Sequence, residues 1–150
     1  IIFLFSFIAL ISAFFIEYVL GHQPCNLCLI ERIPYGLSII IIISIFLIKK
    51  NQKFLILLLI LTFAFSFAIS FYHFGIEQEF FQESSVCGVK SLTEIITKED
   101  LLKQLSEKTI SCKDVTFRIF GLSLTSINIV ISLLFIITLL KIFKKYEKNK

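Results

Sequence analysis

The sequence predicts an all-α membrane protein: a four-helix transmembrane bundle with two extracytoplasmic loops, the second containing a short helix. Three observations predict it. Hydrophobic residues make up 57% of the chain and 18 of its 150 residues are Phe, giving a mean hydropathy of +0.90, far too apolar for a soluble domain of this size. The apolar residues collect into runs of about 20, the length a helix needs to cross the hydrocarbon core of a bilayer. Lysines, in contrast, concentrate in particular segments between and after those runs. The length suits a single membrane domain, residues 1–150, and not a second one.

The first run covers residues 1–20, with Glu17 near its far end. It lacks the basic start, short apolar core and small-residue cleavage pattern of a signal peptide, so it reads as a span. The missing initiating Met suggests that the true start was trimmed or lies upstream. Gly21-His22-Gln23-Pro24 is a polar turn that leads into Cys25 and Cys28. The second run, 29–48, carries Glu31 and Arg32 near its start and Pro34 soon after. Proline kinks a helix interior but is tolerated at a first position. The helix is therefore either bent at Pro34, or begins there after a short interfacial turn over residues 25–32. The third run is 54–74, ending in Ser70, Tyr72 and His73. The fourth is 119–140, with Ser123, Thr125, Ser126 and Asn128 on its first turns, residues that let membrane helices approach and hydrogen-bond. In the long loop 75–118, Thr97-Lys98-Glu99-Asp100 has the form of a capping box opening a short helix, whose Leu101, Leu102 and Leu105 give it an apolar side.

Charge fixes the expected orientation. Lys49, Lys50 and Lys53 stand in the second loop with no acid, and the tail 141–150 holds five Lys against Glu147. The long loop holds five Lys and one Arg against eight acids. The positive-inside rule makes the basic loop, the tail and both termini cytoplasmic. The formal charge of +4 is thus a topology signal and argues against nucleic acid as a partner. Cys25, Cys28, Cys87 and Cys112 all fall in the opposite compartment, which in a bacterial inner membrane is the periplasm, where disulfides persist.

Cys25 and Cys28 stand three apart, able to close into a reducible ring or open to a dithiol. If Cys28 begins a helix, Arg32 lies one turn on, and cation and helix N-terminus together favour the Cys28 thiolate. That is the setting of a redox thiol rather than an inert buried one. Four cysteinates also suit zinc or an iron–sulfur cluster, but Cys87 and Cys112 form no second close pair, so no metal is assigned. A Cys87–Cys112 bridge serves equally as a staple of about 3 kcal/mol in the chain-entropy picture or as an exchangeable disulfide. A cation within a span calls for a function or for a partner such as Glu17 or Glu31. His73, at the end of the third span, reads equally as an interfacial histidine or a site residue. Tyr35 and Tyr72 are candidates to line a pocket for an aromatic cofactor or are ordinary interfacial tyrosines, and Asn128 reads as glue between helices.

The segment from Pro24 to Tyr35, Pro-Cys-Asn-Leu-Cys-Leu-Ile-Glu-Arg-Ile-Pro-Tyr, resembles the first outer-loop motif of the disulfide-bond formation protein B (DsbB) family, the quinone-linked membrane thiol oxidases of bacteria. The stretch from Tyr72 to Glu77 is similar to that family's exit from the third helix, and the stretch from Cys112 to Ser123 to its entry into the fourth. The resemblance implies a route for electrons. Cys87–Cys112 accepts them from a periplasmic thioredoxin-fold oxidase (DsbA-like), with Cys87 in the mixed disulfide. Cys112 then exchanges with Cys25, and Cys28 faces a membrane quinone, ubiquinone or menaquinone, beside Arg32, with His73 and Tyr35 as further quinone-site residues. The competing class is a non-enzymatic tetraspan scaffold whose loops are held by ordinary disulfides.

Overall fold

The computed structural model describes residues 1–48, 51–82, 112, 118–119 and 122–148. They form four helices: α1 (Ile2–Tyr18), α2 (Asn26–Leu47), α3 (Gln52–Glu77) and α4 (Leu124–Lys148). A two-residue antiparallel ladder, β1 (Arg118–Ile119) with β2 (Leu122–Ser123), precedes α4. Helices α2, α3 and α4 are long and apolar enough to cross a membrane, and α1 is a shorter apolar helix of 17 residues. The short helix expected near residues 97–105 lies outside the described residues.

Helix α1 ends where Gly21 turns the chain at φ +72°, a left-handed conformation that glycine adopts at no steric cost. The chain then enters α2 at Cys25, which caps the helix through its own sulfur: Cys28 N–H donates to Cys25 Sγ at 3.3 Å. Of the two arrangements open for this segment, the helix runs unbroken from Asn26 with Pro34 inside it. Asn51, at φ 66°, makes the short left-handed link into α3. Helix α4 begins at Leu124 rather than near 119, because Ser123 Oγ accepts the Ser126 N–H at 3.2 Å and serves as the cap. The basic tail continues this helix as far as Lys148.

Helix α3 is central, packing on both α2 and α4, while α1 lies against α2. Phe63, wholly buried on α3, sets its ring edge-on to Phe135 at 5.0 Å and to Tyr35 at 6.3 Å, and Phe5 of α1 meets Phe135 at 5.3 Å. Ile41, Ile56, Leu59, Ile60 and Leu139 complete this core. Elsewhere the helices touch through small hydroxylated residues: Ser38 donates to Ser6 at 2.9 Å and Ser132 to Ser66 at 3.2 Å, all four fully buried. Such residues let backbones approach closely in lipid, where apolar burial alone gives no preference for a neighbouring helix. At one end of the bundle Lys53 reaches Glu147 at 3.2 Å, so the two basic segments meet there. The other end holds a second cluster of Cys25, Leu27, Ile76 and Cys112.

Candidate active site

At that second end a cavity of about 420 Å³ opens between α1, the 22–25 turn, the starts of α2 and α4 and the end of α3. Phe5, Ile8, Ala9, Ala13 and Ile16 of α1 form an apolar wall. Cys25, Cys28, Glu31, Arg32, Tyr35, His73, Glu77 and Cys112 supply the polar side. The spacing of α2 explains the gathering. Glu31 and Arg32 each stand three or four residues from both Cys28 and Tyr35, which puts all four on one helix face.

Cys25 is the centre of the site. Its sulfur lies 2.6 Å from Cys28 Sγ and 3.6 Å from His73 Nε2, and it also contacts Cys112. Cys25 and Cys112 are only 6% and 2% exposed, so this contact is shielded from water. Contact with Cys112 holds the Cys25 thiol below its ordinary range; the Cys28 contact and the His73 ring act the same way, and burial opposes them. The helix adds to this, because its first free N–H groups and positive end face the capping sulfur. Sequence reasoning directed that help to Cys28. Because α2 starts earlier than that reasoning assumed, Cys25 receives it.

His73 is held from its other side. Its Nδ1 is 2.9 Å from Glu31 Oε1, and Asn128 Nδ2 donates to Glu31 Oε2 at 3.1 Å. Asn128 also donates to Ser70 at 2.7 Å and accepts from Tyr35 O–H. Glu77, one turn after His73, accepts from Thr125 and lies 3.9 Å from His73 Nε2. A chain of polar partners thus runs from the sulfur through a histidine and a carboxylate to an amide on α4. Arg32 lines the same cavity, but its contacts are with α1: an ion pair with Glu17 at 2.5 Å and the face of Phe14 at 5.3 Å.

Residues 1–142 match the family model described as "Disulfide bond formation protein DsbB". The chain belongs to that family. It is also 29% identical over 147 residues to "Uncharacterized protein RP370" of Rickettsia prowazekii (strain Madrid E), across 97% of this chain and 86% of that one. No solved structure matches it. Membership in the DsbB family, with three helices able to span a bilayer, makes this a membrane protein of disulfide-bond formation.

Of the residues singled out in the sequence, Cys25, Cys28, Cys112, Arg32, His73 and Tyr35 share this one cavity. Cys87 lies outside the described residues. Tyr72 does not line the cavity; it packs against the cluster of Cys25 and Cys112 and stacks on Phe81 at 5.8 Å. The sequence reading gave no site role to Glu31, Glu77 or Thr125, and took Asn128 for structural glue. The signal available was periodicity: Glu31 follows Cys28 by three residues and Glu77 follows His73 by four.

Proposed function

We propose that the protein generates disulfides for a periplasmic thioredoxin-fold dithiol oxidase and passes the electrons to a membrane quinone. The observation that carries this reading is the Cys25–Cys112 contact, since one buried sulfur then touches a member of each cysteine pair. The client's thiolate attacks Cys87 of the Cys87–Cys112 disulfide and Cys112 leaves as a thiolate. A second client thiolate then resolves the mixed disulfide. Cys112 attacks Cys25 of the Cys25–Cys28 disulfide, and Cys28 leaves with the electron pair. Cys87 then displaces Cys25 from Cys112, which restores the outer disulfide and leaves the inner pair reduced.

The cavity fits a quinone in its chemistry, with an apolar wall for a lipid-soluble body and a polar end for ring oxygens. Cys28, Arg32, His73 and Tyr35 are the residues that would hold it. When bound, a quinone supplies a sink for two electrons and two protons. His73 Nε2, 3.6 Å from Cys25 Sγ, is placed to take the thiol proton, and Glu31, 2.9 Å from Nδ1, holds the ring in that orientation. The ion pair of Arg32 with Glu17 ties α1 to α2 at the cavity. The acidic long loop and basic opposite segments support inner-membrane placement with both termini cytoplasmic.

The test is turnover of the purified protein with a reduced thioredoxin-fold client and a soluble quinone analogue. Two client thiols should disappear per quinone reduced, and Cys25→Ser or Cys28→Ser should bring the rate to background. A wild-type protein without turnover, or a Cys28→Ser variant at full rate, would return the chain to the scaffold reading.

A further inference from the structure

Among the described residues one set of metal donors converges: the sulfurs of Cys25 and Cys28 and a ring nitrogen of His73 lie within 4.8 Å of one another. We propose that the reduced protein binds a single zinc ion through Cys25, Cys28 and His73, in a site that competes with disulfide formation. The site needs only the dithiol and does not depend on the oxidase reading.

Four features of the geometry support it. Bond lengths of zinc to sulfur and nitrogen place the two ligand atoms of a tetrahedral site about 3.5 Å apart, and Cys25 Sγ is 3.6 Å from His73 Nε2. Cys28 Sγ, now 2.6 Å from Cys25 Sγ, needs to swing outward by about 1 Å to reach sulfur–sulfur spacing in such a site. His73 also carries the support that metal-ligating histidines have. Its Nδ1 is engaged by Glu31 at 2.9 Å, which fixes the tautomer that offers Nε2, and Glu31 is itself held by Asn128. Lastly, Glu77 lines the cavity beside the ring with its side chain only 5% exposed, and its Oε2 is buried with no hydrogen-bond partner among the described residues. A buried carboxylate with one oxygen still unpaired favours a cation beside it, even though Thr125 donates to the other. Three protein ligands leave a fourth position for water or for Cys112, which already touches Cys25.

Each thiol binds as a thiolate and gives its proton to solvent, and no electron moves. The Cys25–Cys28 disulfide has no thiolate to offer, so metal and disulfide exclude each other, and zinc arrests the chain in its reduced form.

The experiment titrates Zn²⁺ alone, against a chromophoric chelator, into the full chain in detergent, once reduced and once oxidised. One zinc per reduced chain is expected, at least about 100-fold tighter than to the oxidised chain. Glu31→Gln should weaken binding by about 10- to 100-fold, the usual effect of losing such an outer partner, and Cys87→Ser should leave it unchanged. Co²⁺ in the unsubstituted reduced chain should give a near-ultraviolet sulfur-to-metal band, so the result does not hang on a variant that fails to fold. Equal binding by oxidised and reduced chains would overturn the proposal. So would a cobalt complex without that band, or binding lost in Cys87→Ser and kept in Cys28→Ser.

Discussion

The two buried clusters of this bundle are built from opposite materials. Around Phe63 the helices meet through rings and branched aliphatic chains, with Ile41, Leu59 and Leu139 each under 5% exposed. Around Cys25 they meet through sulfur, imidazole, carboxylate and amide, and the buried groups face a cavity. The first arrangement lowers free energy simply by filling space. The second brings ionisable groups out of water, which is costly unless every partner is present. On the proposed reading the apolar cluster serves the fold and the polar one the chemistry, so substitutions in each should change different observables.

The sharpest way to break this division is at His73. Replacing it by alanine removes the group facing Cys25 and leaves Glu31 without its ring partner. Loss of a positioned proton acceptor lowers rates by about 10²-fold or more. His73→Ala should therefore reduce thiol oxidation by about that factor, with the loss growing as pH falls, because one of the contacts that keeps Cys25 ionised is gone. A uniform loss at every pH would mean that His73 only supports the fold.

The Cys25 thiol gives the next effect. Its neighbours hold it below the ordinary range, so the thiolate persists as pH falls, while an ordinary thiol near 8.5 loses about 80-fold of its thiolate between pH 8 and pH 6. Alkylation of Cys25 in the reduced chain, followed by site-resolved mass spectrometry, should change far less than that over the same range. Cys112→Ser removes the largest cause and should restore part of the pH dependence. An 80-fold slowing in the unsubstituted chain would contradict the geometry.

At the other cluster the outcome should be inverted. Phe63 is fully buried between Tyr35 and Phe135, and truncating such a ring destabilises by about 3–5 kcal/mol. Phe63→Ala should lower the thermal midpoint clearly while each molecule that remains folded keeps its thiol-oxidation rate. If the activity per folded molecule fell as steeply as for His73→Ala, the two clusters would be coupled, with the Tyr35–Asn128 bond as the connection.

How legible all this was in the sequence follows the same division. The spans announced themselves, because lipid demands long apolar runs and the chain has them at α2, α3 and α4. The cysteine pair and Arg32 were legible because they are neighbours along one chain segment. The His73–Glu31 contact was not, since those residues stand 42 apart and meet only once α2 packs on α3. Asn128 shows the limit well. As a polar residue in a span it was read as helix glue, which it is toward Ser70, but its bond to Glu31 depends on three helices converging. The start of α4 was misplaced for a local reason. Hydropathy is continuous through 119–124 and does not register that Ser123 caps the helix.

The smallest effect belongs at the basic end, where Lys53 meets Glu147 at 3.2 Å and its ammonium lies 5.3 Å from the centre of the Phe143 ring. The two side chains are 49% and 61% exposed, so water screens the pair and its contribution is about 0–1 kcal/mol. Glu147→Gln should shift the thermal midpoint little, and less still in high salt. Lys53→Ala should cost slightly more than Glu147→Gln, because it also removes the contact with Phe143. Neither substitution should alter thiol oxidation, since the pair lies at the end of the bundle away from the sulfurs. A change in turnover from either would mean that charge at the basic end reaches the cavity, and the contrast between the two ends would have to be replaced by a coupling along α3.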